Sequence, residues 1–258
     1  MEKTIERAVG RVIETMRENL GEQLTVDDMA RTAMFSKFHF SRVFQRATGV
    51  TPGRFLSAVR LQEAKRLLVS TSLSVTDISH RVGYTSVGTF SSRFRRSVGV
   101  SPTTYRQLGG FTPHAVHDDR RSATEARSAT VRGNIWCPQT DRLGLIFVGL
   151  FADRIPQGQP VRCTVVHRPG PYVLEDVPQG NWYLLAHSVA AGLEEVVHGP
   201  LADEGQALCV GAHGPIKIRS DTVVTSADVQ LRPLTAPAPP ALLALLDVRS
   251  VALSVGAA

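Results

Sequence analysis

At 258 residues the chain is long enough for two cores, and a net charge of +6 with a pI near 9.6 favours an acidic partner. No run approaches the ~20 apolar residues of a membrane span, Ala241–Leu246 being far too short. Three widely spaced cysteines, Cys137, Cys163 and Cys209, show no CxxC or Cys/His zinc spacing, so they exclude a disulfide scaffold and a zinc site.

Charge divides the chain. Residues 1–110 hold seventeen Lys+Arg against nine Asp+Glu, whereas residues 111–258 hold twelve against fourteen. A basic first part is the footprint of a phosphate-binding surface. Met1-Glu2-Lys3 leads into an amphipathic helix and not an apolar leader, so the expectation is a cytoplasmic protein with reduced thiols. That helix spans Thr4–Leu20, with Ile5, Val9, Val12, Met16 and Leu20 on one face.

From Leu24 one pattern is written twice. The first copy runs Leu24-Thr25-Val26-Asp27-Asp28-Met29-Ala30, then Phe35, Phe40, Phe44 and Gly49-Val50-Thr51-Pro52. The second runs Leu73-Ser74-Val75-Thr76-Asp77-Ile78-Ser79, then Tyr84, Phe90, Phe94 and Gly99-Val100-Ser101-Pro102. The offset is 49 at Leu24/Leu73 and 50 from Phe40/Phe90 onward, so the second copy carries one extra residue in its turn. Each copy reads as a helix-turn-helix. In the first, Ser36 suits an N-cap, and Phe40, Val43, Phe44 and Ala47 make an apolar stripe. Lys37, Phe38, Ser41, Arg42 and Gln45 take the opposite face, with Arg46 at its edge. A helix with an apolar back and a polar-basic front suits a DNA major groove. Between the copies a helix starting at Pro52 carries Phe55, Leu56, Val59, Ala64, Leu67 and Leu68. A last short helix from Ser101-Pro102 runs to Leu108.

These residues resemble the DNA-binding domain of AraC/XylS-family transcriptional regulators. The match rests on Ser36, Phe40, Ser41, Arg42, Phe44, Gly49 and Pro52, then Arg60, Ala64, Leu67 and Leu68. In the second copy it rests on Ile78, Gly83, Tyr84, Phe90, Phe94, Gly99, Pro102, Tyr105 and Arg106. The resemblance implies two recognition helices held by one rigid helix and placed in successive major grooves of double-stranded DNA. By residue, it implies DNA contacts from Lys37, Phe38, Ser41 and Arg42, and from Val87, Gly88, Thr89, Ser92 and Arg93. Arg46, Arg95 and Arg96 are placed for phosphates, which position without specifying sequence. Arg42 is the best single base reader, since arginine forks onto guanine O6 and N7. Family members usually carry this domain last, and here it comes first. They also more often place an arginine where this chain has Ser92, ahead of Arg93.

Gly109-Gly110 ends the helical pattern, and residues 111–128 read as a solvated linker containing His114-x-x-His117-Asp118-Asp119. Residues 129–258 change period. Val131–Trp136, Leu145–Phe151, Val161–Val166, Tyr172–Val177 and Trp182–His187 read as strands between Gly/Pro turns. Leu208–Gly211, Ile216–Ile218 and Asp228–Leu231 could add three more. In Val161–Val166 the half-buried face is expected to be Val161, Cys163 and Val165. The fold class expected is therefore multidomain: an all-α double helix-turn-helix followed by an all-β antiparallel sandwich. The run from Gly170 to Leu184 also resembles transthyretin-like, or carboxypeptidase regulatory-like, domains. Pro233–Pro240 reads as a stiff spacer and Ala241–Ala258 as an apolar tail.

The expected function is a bacterial, sequence-specific transcription regulator with a C-terminal domain that senses a ligand or dimerises. Trp182, Tyr183, Tyr172 and His187 are candidate pocket residues. Candidate partners beyond DNA are RNA polymerase, a small-molecule effector and a second copy of the chain; no cofactor, metal or membrane is expected. The alternative is a C-terminal alkyl-acceptor or other enzymatic domain, prompted by Trp136-Cys137-Pro138, although no Ser/His/Asp set or paired carboxylates stand out.

Overall fold

The computed structural model describes residues 2–110, 129–138, 143–155, 157–158, 160–190, 208–219 and 222–233. The linker with its His114/His117 motif and the apolar tail lie outside them. The chain divides into two compact units, a helical one of residues 1–110 and a β-rich one holding the described residues from 129 on.

The helical unit is built from α1 (Glu2–Glu18), α2 (Val26–Ala33), α3 (Lys37–Thr48), α4 (Pro52–Ser70), α5 (Val75–Arg81), α6 (Val87–Val98) and α7 (Pro102–Gln107). The two copies start alike. Thr25 and Ser74 each accept a hydrogen bond from the backbone N–H three residues on, at 3.2 and 3.0 Å, and Asp28 and Asp77 return the bond. These reciprocal caps satisfy amides that the first turn leaves without partners. Thr25 also holds the Asp28 carboxyl below its ordinary range. Ser36 occupies the N-cap of α3 without a side-chain cap bond.

Aromatic spacing sets both cores. Phe40, Phe44 and Phe55 stack in sequence at 5.4 Å between centroids, and Phe90, Phe94 and Tyr105 repeat the ladder at 5.7 and 5.5 Å. All five phenylalanines are fully buried, each contributing about 1.5–3 kcal/mol by leaving water. The stripe on α3 differs from expectation at one place. Ala47 is exposed and Thr48 is buried instead, its hydroxyl donating to the Phe44 carbonyl at 2.9 Å. One helix, α4, belongs to both copies. It packs on α1 and α3 and also on α5 and α7, burying Phe55, Leu56, Ala58, Val59, Leu61, Ala64, Leu67 and Leu68 around its circumference.

The β-rich unit comprises β1 (Ala129–Trp136), β2 (Leu143–Phe151), β3 (Arg162–Val166), β4 (Gly170–Val177), β5 (Gly180–Ala190), β6 (Leu208–Ile218), β7 (Val224–Ser226), β8 (Val229–Gln230) and β9 (Arg232–Pro233). One sheet is ordered β4-β1-β7 with β8 also on β1; the other is β3-β2-β5-β6-β9. The two sheets bury one common core, with Val131, Ile135, Tyr172 and Leu174 from the first and Ile146, Val148, Leu184 and Ile216 from the second.

Three expectations need correction. The first sheet is mixed and not wholly antiparallel, because β7 and β8 pair with β1 in parallel. Leu208–Gly211 and Ile216–Ile218 form one strand, since the ladder with β5 runs on through Ala212 and His213. On β3 it is Val166 that packs on the main core; Cys163 and Val165 join Phe147, Phe151 and Leu185 in a second cluster on the opposite face of that sheet. No described helix is long and apolar enough to cross a membrane.

Candidate nucleic-acid interface

The core positions fix which way each helix of the duplicated pair presents its side chains. In α3 the buried residues are Phe40, Val43, Phe44 and Thr48; in α6 they are Phe90, Phe94, Ser97 and Val98. At 100° per residue the opposite face of α3 holds Phe38, His39, Arg42, Gln45 and Arg46, all exposed. Fifty residues on, the corresponding face of α6 holds Gly88, Thr89, Ser92, Arg95 and Arg96, also all exposed. Neither helix contains an acidic residue. Phe38 is 88% exposed, so an aromatic ring stands in solvent at the N-terminal end of α3.

Individual partners refine the set. Lys37 donates to Asp27 at 2.7 Å, an exposed ion pair of small energetic weight. The half-buried Ser41 hydroxyl donates to the Lys37 carbonyl at 2.9 Å. Val87 is half-buried. Arg93 is the repeat equivalent of the buried Val43, and it flanks the outward face without lying on it. Its Nη1 donates to Ser57 Oγ on α4 at 3.4 Å, and that oxygen lies 3.4 Å from the Tyr84 hydroxyl. The structural equivalent of Arg42 is therefore Ser92. His39 is a surface residue that the pattern reading missed. It stands three positions before Arg42, on the same helical face, and its ring meets Phe35 edge-on at 4.8 Å.

Such a pair of surfaces can do two things chemically. Arg42, Arg46, Arg95 and Arg96 supply guanidinium donors to phosphate oxygens or guanine edges. The small residues Gly88, Thr89 and Ser92 permit close approach of the α6 backbone.

In the β-rich unit the four aromatic candidates do not converge. Tyr172 is buried in the core, its hydroxyl donating to the Ala227 carbonyl, and burial pushes that phenol well up. Trp182 packs on the same core and donates to Pro178 at 2.9 Å. Tyr183 and His187 alternate with it onto the other face of β5, where Arg154 lies 5.4 Å over the Tyr183 ring. A shallow cavity of about 200 Å³ between β3 and β4 is lined by Arg162, Cys163, Thr164, Val173, Leu174 and Glu175, and by none of the four. Cys137, the residue behind the alkyl-acceptor alternative, is buried in the common core of the two sheets, with Cys209 packed against the same core.

A family profile described as a helix-turn-helix domain matches residues 29–108. The HTH-type transcriptional activator AarP of Providencia stuartii is 32% identical over 98 residues, covering 38% of this chain and 73% of its own length. Other curated relatives are matched over about a third of their length, among them the RCS-specific HTH-type transcriptional activator RclR of Escherichia coli, 35% identical over 99 residues and 38% of this chain. The DNA-binding domain of AdpA, solved in complex with a target DNA, is 34% identical over 39% of this chain and 90% of that one, with a TM-score of 0.38.

Proposed function

Because the chain belongs to the AraC/XylS family of transcriptional regulators, we propose that α3 and α6 enter successive major grooves on one face of double-stranded DNA. The observation that carries this reading is the pair of outward faces fifty residues apart, both basic and free of acid, with α3 packed on α4 and α6 held to the same helix through α5 and α7. In this reading Arg42 is the principal base reader, assisted by Phe38 and His39, with Lys37 and Ser41 at its margin. Gly88, Thr89 and Ser92 let α6 sit deep in its groove beside Val87 and Arg93. Arg46, Arg95 and Arg96 hold phosphates. The protein acts in the cytoplasm, where its DNA is.

The β-rich unit is proposed as a transthyretin-like sandwich that adjusts DNA binding by pairing with a second copy or by taking a small effector. The common core of the two sheets supports the sandwich. The division of Tyr172 and Trp182 from Tyr183 and His187 onto opposite faces favours assembly over a pocket at those residues. RNA polymerase is the further partner that a transcriptional activator would require.

The test is a footprint of the full chain on a selected target, with affinity followed against salt. Protection of two adjacent major grooves on one face by a single chain is expected. Affinity should fall about 10³–10⁵-fold from 50 to 200 mM salt if ~6–10 phosphates are contacted. A flat salt dependence would remove DNA as the partner.

A further inference from the structure

Two arginines make similar clamps in the two copies, although by the fifty-residue offset Arg106 matches Leu56, one helical turn before Arg60, and they have different neighbours. Arg106 on α7 donates from Nε to the Leu68 carbonyl at 2.9 Å and from Nη2 to the Leu73 carbonyl at 2.6 Å. Both acceptors lie at the α4–α5 connection, so this clamp closes the second copy on itself. Arg60 on α4 makes an analogous pair of bonds in the first copy, Nε to the Leu20 carbonyl at 3.0 Å and Nη2 to the Glu22 carbonyl at 2.5 Å. Arg60 also touches the other copy. Its guanidinium is half-buried against the α5–α6 turn, where Gly83 sits at φ +82°. A Cβ placed on Gly83 would lie 2.2 Å from the Leu20 carbonyl oxygen and 2.6 Å from Arg60 Nη2. A Cβ on Gly21 would lie 3.2 Å from the Arg81 carbonyl oxygen. The α1–α2 connection of the first copy is thus in backbone contact with the turn of the second, and Arg60 is wedged into the seam.

A guanidinium withdrawn from water needs its donors satisfied, and carbonyls at helix ends are the acceptors a turn leaves open. Planar donors also fix direction in a way that a flexible ammonium does not. The Arg60 bonds therefore restrain where the α1–α2 connection lies relative to α4. Gly83, by having no side chain, lets the second turn close onto the same spot. Resting on the two-reader function above, we propose that Arg60 is a positioning residue that locks the first copy against the second, so that the mutual orientation of α3 and α6 is set before DNA arrives. A DNA target would then be selected for groove spacing as well as for bases, because a prealigned pair loses little freedom on docking.

The test compares Arg60→Met with Arg106→Met in the full chain. Keto-amino-acid spin labels at the exposed positions Ala47 and Thr76, neither on an outward reading face nor on the helix that Arg106 anchors, report the distance between copies by pulsed electron resonance. The parent and Arg106→Met should give a narrow distribution, and Arg60→Met a broad one with helicity retained. In unlabelled protein Arg60→Met should lose at least about tenfold in specific affinity, equivalent to one base pair of discrimination, with random-sequence binding and its salt slope unchanged. If Arg60→Met loses helicity, Arg60→Lys takes its place, since it keeps the charge and gives up the fork; the same broadening is expected. An Arg60 variant as narrow as the parent overturns the lock. A broad distribution with undiminished specific affinity overturns its role in DNA selection. A parent footprint of one groove would sink the two-reader function, and the distance measurement would still decide the lock.

Discussion

The two helix-turn-helix copies share a scaffold and differ in what the scaffold carries. Reciprocal caps, the three-ring aromatic ladder and the glycine that ends α3 and α6 all recur, and each copy has an arginine clamp, placed one helical turn apart in the repeat. On the outward faces almost nothing recurs. Phe38, His39, Arg42 and Gln45 stand in the first copy where Gly88, Thr89, Ser92 and Arg95 stand in the second, and only Arg46 and Arg96 agree. Packing constrains the first group, because a core position must match its neighbours in volume. Solvent leaves the second group free to follow DNA. The difference teaches that the copies are equal as structures and unequal at their surfaces; in the proposed reading the first is equipped for base edges and the second for close approach and phosphate.

Truncating equivalent core rings probes the equality. Phe44→Ala and Phe94→Ala should each destabilise the helical unit by about 3–5 kcal/mol in chemical denaturation. If one were nearly neutral, the ladders would not be energetic equivalents. The inequality is probed at the matched outward positions. Arg42→Ala should lose about 1–3 kcal/mol of specific affinity and relax one base position, while Ser92→Ala stays within about 0.5 kcal/mol. Equal losses on a panel of single-base target variants would refute the assignment of readers.

The turns offer a third contrast. Met34 and Gly83 are equivalent and both left-handed, at φ +60° and +82°. Met34 is 84% exposed and carries its strain without a compensating contact to a core, so Met34→Gly should stabilise the unit by about 1 kcal/mol. Gly83→Ala should do the reverse and by more, given the Leu20 carbonyl in its path. Smallest of all, Arg96→Ala should weaken cognate and random DNA alike and lower the salt slope by about 0.9. A change confined to cognate DNA would make Arg96 a base reader.

Most of the helical unit was legible because aromatic and capping residues recur at a fixed offset, and helical periodicity then assigns each face. The face of α3 could be read directly from Phe40 and Phe44, and His39 was readable by the same count. The side that Arg93 takes was not legible from the charges alone, since Arg95 and Arg96 stand close by on the same helix. The burial of Val43 in the first copy and the bond from Arg93 to Ser57 in the second show that this position flanks the outward face. In the β-rich unit the strand centres were visible and their pairing was not. The parallel partners β7 and β8 are three and two residues long, too short for any alternation to show. On β3 every residue after Arg162 is half-buried, so neither face stands out. The side facing the main core is decided by the partner strand β2, whose Val148 and Phe147 point to different clusters.

The helix common to both copies has a consequence for how the unit comes apart. Phe55 completes the aromatic ladder of the first copy, while the Leu68 carbonyl further along α4 receives the clamp of the second. Neither copy can be melted out while leaving the other a full set of neighbours. Tandem repeats that meet only at a surface can unravel one at a time, but repeats that hold an element in joint possession are obliged to a single cooperative event. The helical unit should therefore show one calorimetric transition, with the slowest-exchanging amides of both copies sharing one opening free energy and lying along α4.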